Sequence, residues 1–265
     1  MKYQIDHDLH IHSFLSTCCK TEEQAPERIL QYAQQFGLKT ICLTNHFWDE
    51  TVEPIPSNWY AKQPLAHIQA AKPLPQAEGI SFLFGCEIDL TADLTLGLSQ
   101  ERMAAFDFIV IPTTHMHFSF TTYPEETGSV EGRAKAWLRR LEGVLNMDLP
   151  FHKIGIAHLS CRLIYREDDQ YVQVIEALPE DELIRLFTKA AQVGVGIELN
   201  QDDLKYAQAH PDILLRPFRI AKACGCKFYL ASDAHKPEEL DEACSYFQWG
   251  IDMLELTEED KFIVK

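Results

Sequence analysis

The chain has 265 residues, 46% of them hydrophobic, which is enough to bury one large core in a single domain over residues 1–265. Its 40 acidic residues outnumber 24 basic ones, giving a formal net charge of −16. Because no segment gathers the basic residues, we expect no nucleic-acid polymer as a partner. No run approaches the roughly 18 apolar residues of a membrane span, and the amino terminus has no apolar signal-peptide region, so no membrane association is expected.

Eight cysteines are spread along the chain, and several stand in apolar runs such as Thr40–Leu43, where they resemble small buried hydrophobic residues. A chain of this length with a full core does not need a disulfide framework. We therefore expect a reducing, cytoplasmic location. The oligomeric state is left open by the sequence.

Short apolar strands alternate with amphipathic helices along most of the chain. The first strand is expected over Tyr3–His10 and the first helix over Pro26–Phe36, where proline suits the first turn and Gly37 follows as a stop. Residues 47–78 show little periodicity and predict an irregular excursion near the site. Further strands are predicted over Lys39–Thr44, Ile80–Leu90, Asp107–Pro112, Lys153–Ala157, Val195–Leu199 and Lys227–Ala231. Further helices are predicted over Gly128–Leu145, Pro179–Val193, Pro211–Ala223 and Pro237–Phe247.

This alternation indicates an α/β fold of parallel β/α units. About seven units fit, which favours a closed or nearly closed distorted barrel over an open sheet. In such a barrel the carboxyl ends of the strands converge on the face that carries the active site. The sequence contains neither a Gly-rich nucleotide loop of a common type nor a Gly-x-Ser-x-Gly elbow.

Residues able to bind metal stand at the end of strand after strand. Because side chains alternate along a strand, His10 and His12 are expected on one face, with Leu9 and Ile11 on the other. Nitrogen and oxygen donors suit Zn, Mn or Fe, and the set exceeds the needs of one tetrahedral ion. We therefore predict two or three divalent ions, with Glu87 as a bridge, because a carboxylate can hold two cations. The candidates are His10, His12, His46, Glu87, His115, His158, Asp233 and His235.

Along residues 6–235 these candidates fall in short ordered motifs, namely His10-Ile11-His12, Asn45-His46, Gly85-Cys86-Glu87, His115, His158 and Asp233-Ala234-His235. Together the motifs resemble those of the polymerase and histidinol phosphatase family of phosphoesterases, usually called the PHP family. The resemblance implies a distorted seven-stranded β/α barrel of the PHP type, with a cluster of up to three metals that hydrolyses phosphate esters. Family members often have Asp where this chain has Asn45, a change expected to alter hydrogen bonding more than metal count.

Two positions leave alternatives open. The family commonly places another His or Asp about six residues after the second histidine, where this chain has Ser16-Thr17-Cys18-Cys19. Cys18 could bind metal as a thiolate, or the position could be vacant, with water, Glu22 or Glu23 holding the metal. His115 and His117 share a strand face, and His115 fits the family spacing better.

Several polar residues are assigned supporting roles. His7 is interpreted as structural, and Asp8 as a residue that orients a ligand histidine from the face of His10. Glu198 is expected to anchor the mouth of the barrel by hydrogen bonds rather than to bind metal. The remaining histidines have no partner pattern and are expected to be exposed or packing residues, namely His67, His152 and His210.

The hypothesis for function is metal-dependent hydrolysis of a small phosphate monoester, with histidinol phosphate as one candidate substrate. A hydroxide bridging two metals, beside Glu87, would attack phosphorus. His235 and His117 are candidate acids for the leaving group, and Arg162 is the candidate cation for the phosphate. One alternative is an amidohydrolase-type C–N hydrolase, although no mid-chain strand ends in the bridging Lys of that family. A second alternative is a metal-binding PHP module without catalysis.

Overall fold

The computed structural model describes residues 1–57, 59–167 and 169–264 and shows an α/β fold built from parallel sheets. The strands are β1 (His7–Ile11), β2 (Thr40–Leu43), β3 (Ser81–Phe84), β4 (Cys86–Glu87), β5 (Ile109–Pro112), β6 (Ile154–Ala157), β7 (Gly196–Asn200) and β8 (Lys227–Ala231). The helices are α1 (Pro26–Phe36), α2 (Leu65–Ile68), α3 (Gln100–Met103), α4 (Val130–Leu145), α5 (Gln170–Glu176), α6 (Glu180–Val193), α7 (Gln201–Ala207), α8 (Pro211–Leu214), α9 (Arg216–Ala223) and α10 (Pro237–Met253).

The strands form two parallel sheets, of order β1-β2-β3 and β4-β5-β6-β7-β8. One isolated parallel bridge joins Ile11 to Ala234, just beyond β8, and another joins His46 to Glu87 of β4. The predicted parallel β/α pattern is therefore confirmed, whereas a closed barrel is not. All the carboxyl ends within each sheet lie along one edge, because every pairing is parallel.

The predicted strand Ile80–Leu90 is divided at Gly85 between the two sheets. β3 pairs with β2, whereas β4 pairs with β5. A Cβ atom at Gly85 would lie 2.5 Å from the Phe108 carbonyl oxygen and 2.7 Å from Cys42 Sγ. Only glycine lets the chain pass between the sheets at this distance.

β1 contains a β-bulge, and this feature overturns the expected alternation. Asp8 pairs with Ile41 and Ile11 with Leu43, so three steps on β1 match two on β2. Leu9 accordingly packs in the smaller apolar cluster, with Tyr229, while Ile11 packs in the larger one. The prediction that Leu9 and Ile11 share a face is wrong, because the bulge inserts one residue between them.

The helix boundaries follow local signals. α1 has the predicted bounds and ends at Gly37, whose φ is 70°. α4 begins at Val130 because the Ser129 hydroxyl accepts a hydrogen bond from Gly132 N. The helix predicted over Pro211–Ala223 is divided into α8 and α9, with Pro217 in the first turn of α9.

Within residues 47–78 the described part of the chain has only short helical turns. These are the 3-10 turns Trp59–Lys62 and Gln69–Ala71 on either side of α2. Asn58 lies outside the described residues. All eight cysteines lie in the described part of the chain, and each is a free thiol. None of the described helices is long and apolar enough to cross a membrane.

Candidate metal centre

Three groups of potential ligands meet at the carboxyl ends of the strands. Within each group, one donor atom from every residue lies within 4.8 Å of the others. The first group is His10, His12, Glu87 and Asp233; the second is Glu87, His115 and His158; the third is His12, Cys18, His46 and His235. The eight candidates at strand ends and Cys18 therefore each take part in at least one group.

Glu87 stands between the groups, with its two carboxylate oxygens directed to different histidines. Glu87 Oε2 is 3.3 Å from His12 Nε2 and 2.9 Å from His46 Nδ1. Glu87 Oε1 is 3.4 Å from His158 Nε2 and 3.7 Å from His115 Nε2. This geometry suits a carboxylate that holds two cations, one on each oxygen.

Four of the candidate histidines are held at Nδ1 by a neighbouring side chain and direct Nε2 toward Glu87. Such contacts fix the ring orientation and the tautomer of metal-binding histidines. The pairs are His10 with Glu198 Oε2 at 2.9 Å, His12 with Ser16 Oγ at 2.9 Å, His115 with Asp89 Oδ2 at 3.0 Å, and His158 with Thr114 Oγ1 at 2.8 Å.

The sequence reasoning missed Ser16, Asp89 and Thr114. Asp89 stands two residues after Glu87, a spacing that could have indicated it. Ser16 contacts its histidine through a turn, which no periodic pattern marks. Its hydroxyl also donates to Asn45 Oδ1 at 3.0 Å, so Asn45 holds the side chain that contacts His12.

Asp233 provides the test of whether these residues fit a cation. Its Oδ1 is a buried atom without a hydrogen-bond partner among the described residues, yet it lies 3.0 Å from His12 Nε2 and 3.3 Å from His10 Nε2. Asp233 and His158 also have positive φ values, 53° and 33°, which are uncommon for residues other than glycine. An unpaired carboxylate oxygen held among imidazole nitrogens by strained backbone fits a divalent ion.

The electrostatics reflect this crowding. Burial would raise the pKa of Glu87, but the imidazoles of His46 and His10 hold the pKa well below its usual range. Burial opposes protonation of His10, yet the carboxylates of Asp233, Glu198 and Glu87 raise its pKa well above the ordinary value. The negative charge is therefore concentrated where cations would bind.

Among the alternative ligands that the sequence left open, some lie in a ligand group and others do not. His115 belongs to a ligand group, whereas His117 does not; the ring centroids of the two are 5.2 Å apart. Cys18 lies in a group, while Glu22 and Glu23 are exposed and outside the groups found among the described residues.

Glu198, as expected, makes hydrogen bonds. Besides His10, it accepts from Tyr229 OH at 2.7 Å and Asn200 Nδ2 at 2.8 Å. Asp8 contacts the ligand histidine His10 through the backbone rather than through the ring. Its carboxylate accepts from His10 N at 3.3 Å, Ser232 N at 3.0 Å and Tyr32 OH at 3.2 Å.

The histidines interpreted as structural lie apart from the ligand groups. His7 Nδ1 is 2.9 Å from Asp6 Oδ1, and His7 Nε2 accepts from Leu230 N at 3.0 Å. His67 Nε2 donates to the Leu15 carbonyl oxygen at 2.7 Å. His152 is exposed, and His210 is partly buried at the start of α8.

A cavity of about 450 Å³ borders the centre. Arg162 lines it, exposed, with its guanidinium 5.2 Å from the Tyr206 ring centroid, and Arg166 lines it as well. The two arginines therefore share one cavity with the ligand candidates His158, Asp233 and His235.

The comparisons with known proteins agree with this picture. Histidines and carboxylates gathered at the ends of parallel strands are typical of metal-dependent hydrolases. The family model described as PHP domain matches residues 8–202, and the chain belongs to this family. Family and site together support a metal-dependent hydrolase. A search of curated proteins found no match.

Among solved structures, the chain is similar to histidinol phosphate phosphatase from Lactococcus lactis subsp. lactis, complexed with zinc, L-histidinol and phosphate. The TM-score is 0.52 at 15% identity, covering 92% of this chain and 93% of the other. It also matches a probable 2-pyrone-4,6-dicarboxylic acid hydrolase from Acinetobacter baumannii with citric acid bound, at a TM-score of 0.44 and 13% identity over 97% of each chain.

Proposed function

We propose that this protein hydrolyses a small phosphate monoester with the help of two or three divalent ions. The observation that carries the proposal is the position of Glu87, whose two oxygens face separate groups of histidines. The similarity to a histidinol phosphate phosphatase makes histidinol phosphate one candidate substrate. Zn, Mn and Fe all suit the donor set.

The proposed ligand sets follow from the three groups. His10, His12, Glu87 and Asp233 would hold one ion, Glu87, His115 and His158 a second, and Cys18, His46 and His235 a third. Bound divalent ions would supply Lewis acidity and an activated water. Glu198, Ser16, Asp89 and Thr114 would keep the ligand rings in place, because each bonds the Nδ1 atom of one ring.

The cavity provides the rest of the proposed chemistry. Arg162 and Arg166 would bind the phosphate oxygens, since both guanidinium groups line the cavity beside the centre. The candidate acids are less well placed than the sequence suggested. His235 is proposed as a ligand, and burial beside His115 lowers the pKa of His117 to about 2, so its ring is neutral near pH 7.

We also propose that the two sheets are the halves of one distorted barrel in a single domain. Two hydrogen bonds between the sheets support this proposal. Asp233 N, just beyond the edge strand β8, donates to the His10 carbonyl oxygen of the edge strand β1 at 2.7 Å, and Phe47 N, just beyond the central strand β2, donates to the Glu87 carbonyl oxygen of β4 at 3.2 Å. A cytoplasmic location remains an expectation from the cysteine content.

The decisive experiment measures metal content and hydrolysis together. The protein is stripped with a chelator, reloaded with Zn, Mn or Fe, and assayed against an aryl phosphate and a panel of phosphate monoesters. Glu87→Gln should lose metal and lower turnover by at least about 100-fold, because the variant cannot bridge two ions. Glu258→Gln, far from the centre, is the matched control.

Two outcomes would contradict the proposal. Bound metal without turnover of any phosphoester would favour a non-catalytic module. Full activity of the Glu87→Gln protein with unchanged metal content would remove the bridging role of Glu87.

A further inference from the structure

We infer that Cys18 makes the third metal site thiophilic, so that one centre combines a sulfur-containing site with two sites of nitrogen and oxygen donors. The inference rests on the proposed metal-dependent function and adds the selectivity of one of its sites.

His12 appears in two of the groups. Its Nδ1 is engaged with Ser16 Oγ at 2.9 Å, which leaves Nε2 as the donor. His12 Nε2 lies 3.1 Å from His10 Nε2 and 3.0 Å from Asp233 Oδ1. Because one imidazole nitrogen binds one ion, His12 serves the site of His10 and Asp233.

Without His12, the third group consists of Cys18, His46 and His235. His235 Nδ1 donates to the Asp233 carbonyl oxygen at 2.7 Å, so its Nε2 is the donor for this site. The ring stacks on that of His12 with centroids 4.3 Å apart, which places His235 next to the first site without sharing its ligands. A sulfur and two imidazole nitrogens form a three-ligand set suited to a tetrahedral ion.

The third site is also the most accessible of the three. The side chain of His235 is 30% exposed, whereas those of His10 and His12 are fully buried. Cys18 and His235 together border a cavity of about 360 Å³, and His235 lines the cavity of the two arginines as well. An ion held by three protein ligands here keeps a position open toward solvent and substrate.

The adjacent cysteine provides an internal contrast. Cys19 Sγ donates to the His235 carbonyl oxygen at 2.9 Å and to the Thr21 carbonyl oxygen at 3.5 Å. Cys19 belongs to no ligand group among the residues that the structure describes. Of the two neighbouring thiols, only that of Cys18 is placed to bind an ion.

Donor chemistry then sets the selectivity. Thiolate ligands favour Zn, whereas Mn prefers oxygen donors. Cobalt(II) binds the same ligands as Zn and reports sulfur coordination by a thiolate-to-cobalt absorption band in the near ultraviolet. The expected arrangement is therefore Zn at the third site, with either metal tolerated at the two others.

The test titrates the metal-free protein with Co²⁺ and records near-ultraviolet absorption and bound cobalt. The band should appear in the unmodified protein and in Cys19→Ser, and should be lost in Cys18→Ser. Cys18→Asp guards against a folding defect, because it should bind as many cobalt ions as the unmodified protein without the band.

Cobalt binding without the band in the unmodified protein would overturn the thiolate site and leave the proposed function standing. Failure to bind cobalt at all would contradict both. Equilibrium dialysis gives an independent measure: the unmodified protein should retain one more Zn than Mn, and Cys18→Asp should retain equal numbers. Equal retention of Zn and Mn by the unmodified protein would also overturn the inference.

Discussion

The two ends of the strands neutralise their charges in different ways. At the amino ends, Lys261 Nζ lies 3.0 Å from Asp6 Oδ1 and 2.8 Å from Glu258 Oε1, so cation and carboxylates are paired within the chain. At the carboxyl ends, Glu87 and Asp233 face imidazoles, and no described Lys or Arg forms an ion pair with either carboxylate. The carboxyl ends therefore leave two carboxylates without a Lys or Arg partner among the described residues, in groups of side chains that could hold a metal ion.

Cavity size alone does not reveal this difference. The amino-end cavity, bordered by Asp6, Lys39 and Lys261, has a volume of about 710 Å³, against about 450 Å³ beside the metal centre. In the wall of the larger cavity, Lys261 and Asp6 form an ion pair with each other. The smaller cavity is lined by Asp233, whose buried Oδ1 atom has no hydrogen-bond partner among the described residues. The donor set, not the volume, distinguishes a candidate active site in this fold.

The pKa values of aspartates at the two ends of the strands are shifted in opposite directions. At the amino ends, the hydrogen bond from His7 and the nearby Lys261 lower the pKa of Asp6 to about 2. Near the carboxyl ends, burial raises the pKa of Asp203 to about 7. Opposite shifts in one residue type give opposite dependences of stability on pH, which can be measured.

The largest expected loss of stability comes from Arg140→Met. The fully buried guanidinium donates to carbonyl oxygens at the carboxyl ends, including Thr113 at 2.8 Å and Thr121 at 2.5 Å. Methionine would leave these acceptors unsatisfied, which should cost about 3–4 kcal/mol in urea unfolding of the metal-free protein. The exposed Arg185→Met should cost under about 1 kcal/mol, and equal losses in the two variants would contradict the prediction.

Asp203→Asn should change the pH dependence of stability. Asp203 Oδ2 accepts from Ser160 N at 3.0 Å, an interaction that an amide oxygen preserves. Because the pKa of Asp203 is raised, the unfolded chain ionises above about pH 4 while the folded chain stays protonated until about pH 7, so this group lowers stability progressively across that window and in full above it. The stability of the variant relative to the unmodified protein should therefore rise by about 4 kcal/mol from pH 4 to pH 7, and a constant difference would refute the raised pKa.

Much of the fold could be predicted because it depends on local signals. The bounds of α1 follow from a proline in the first turn and a glycine stop, and they are confirmed. The division of Ile80–Leu90 at Gly85 could not be predicted, because it depends on contacts with Phe108 and Cys42 from distant strands. Sheet closure likewise depends on pairing between strands far apart in sequence.

The candidate site was predictable where a ligand stands at a strand end, since parallel strands bring those ends together. The structure brings the proposed ligands into three groups, and their binding of metal remains a prediction. The side chains that orient them were less predictable. Asp8 holds His10 through its backbone N–H, a contact that alternation along a strand does not predict, and Ser16 was missed because a turn brings it to His12.

Glu198→Gln tests whether the carboxylate that contacts a ligand histidine at the carboxyl ends affects metal binding, in comparison with a carboxylate at the amino ends. Glu198 holds His10 Nδ1 at 2.9 Å, so the amide should weaken the orientation and basicity of the ring. Zn affinity should fall about 10- to 100-fold in a chelator competition, which is about 1–3 kcal/mol. Glu258→Gln should leave the affinity unchanged, and a similar fall in both variants would place the effect outside the centre.

The smallest expected effect is that of Asp6→Asn, and its sign matters more than its size. The pKa of Asp6 is lowered to about 2, so the ionised carboxylate stabilises the folded chain above the unfolded value near pH 4. The variant should lose about 1–2 kcal/mol at pH 6, because Asp6 is partly exposed and its pairing is screened. As the pH falls from about 4 toward 2, the unmodified protein should lose this advantage. If the stability advantage of the unmodified protein over Asp6→Asn instead grew as the pH fell, as a raised pKa would produce, the contrast between the two ends of the strands would be contradicted.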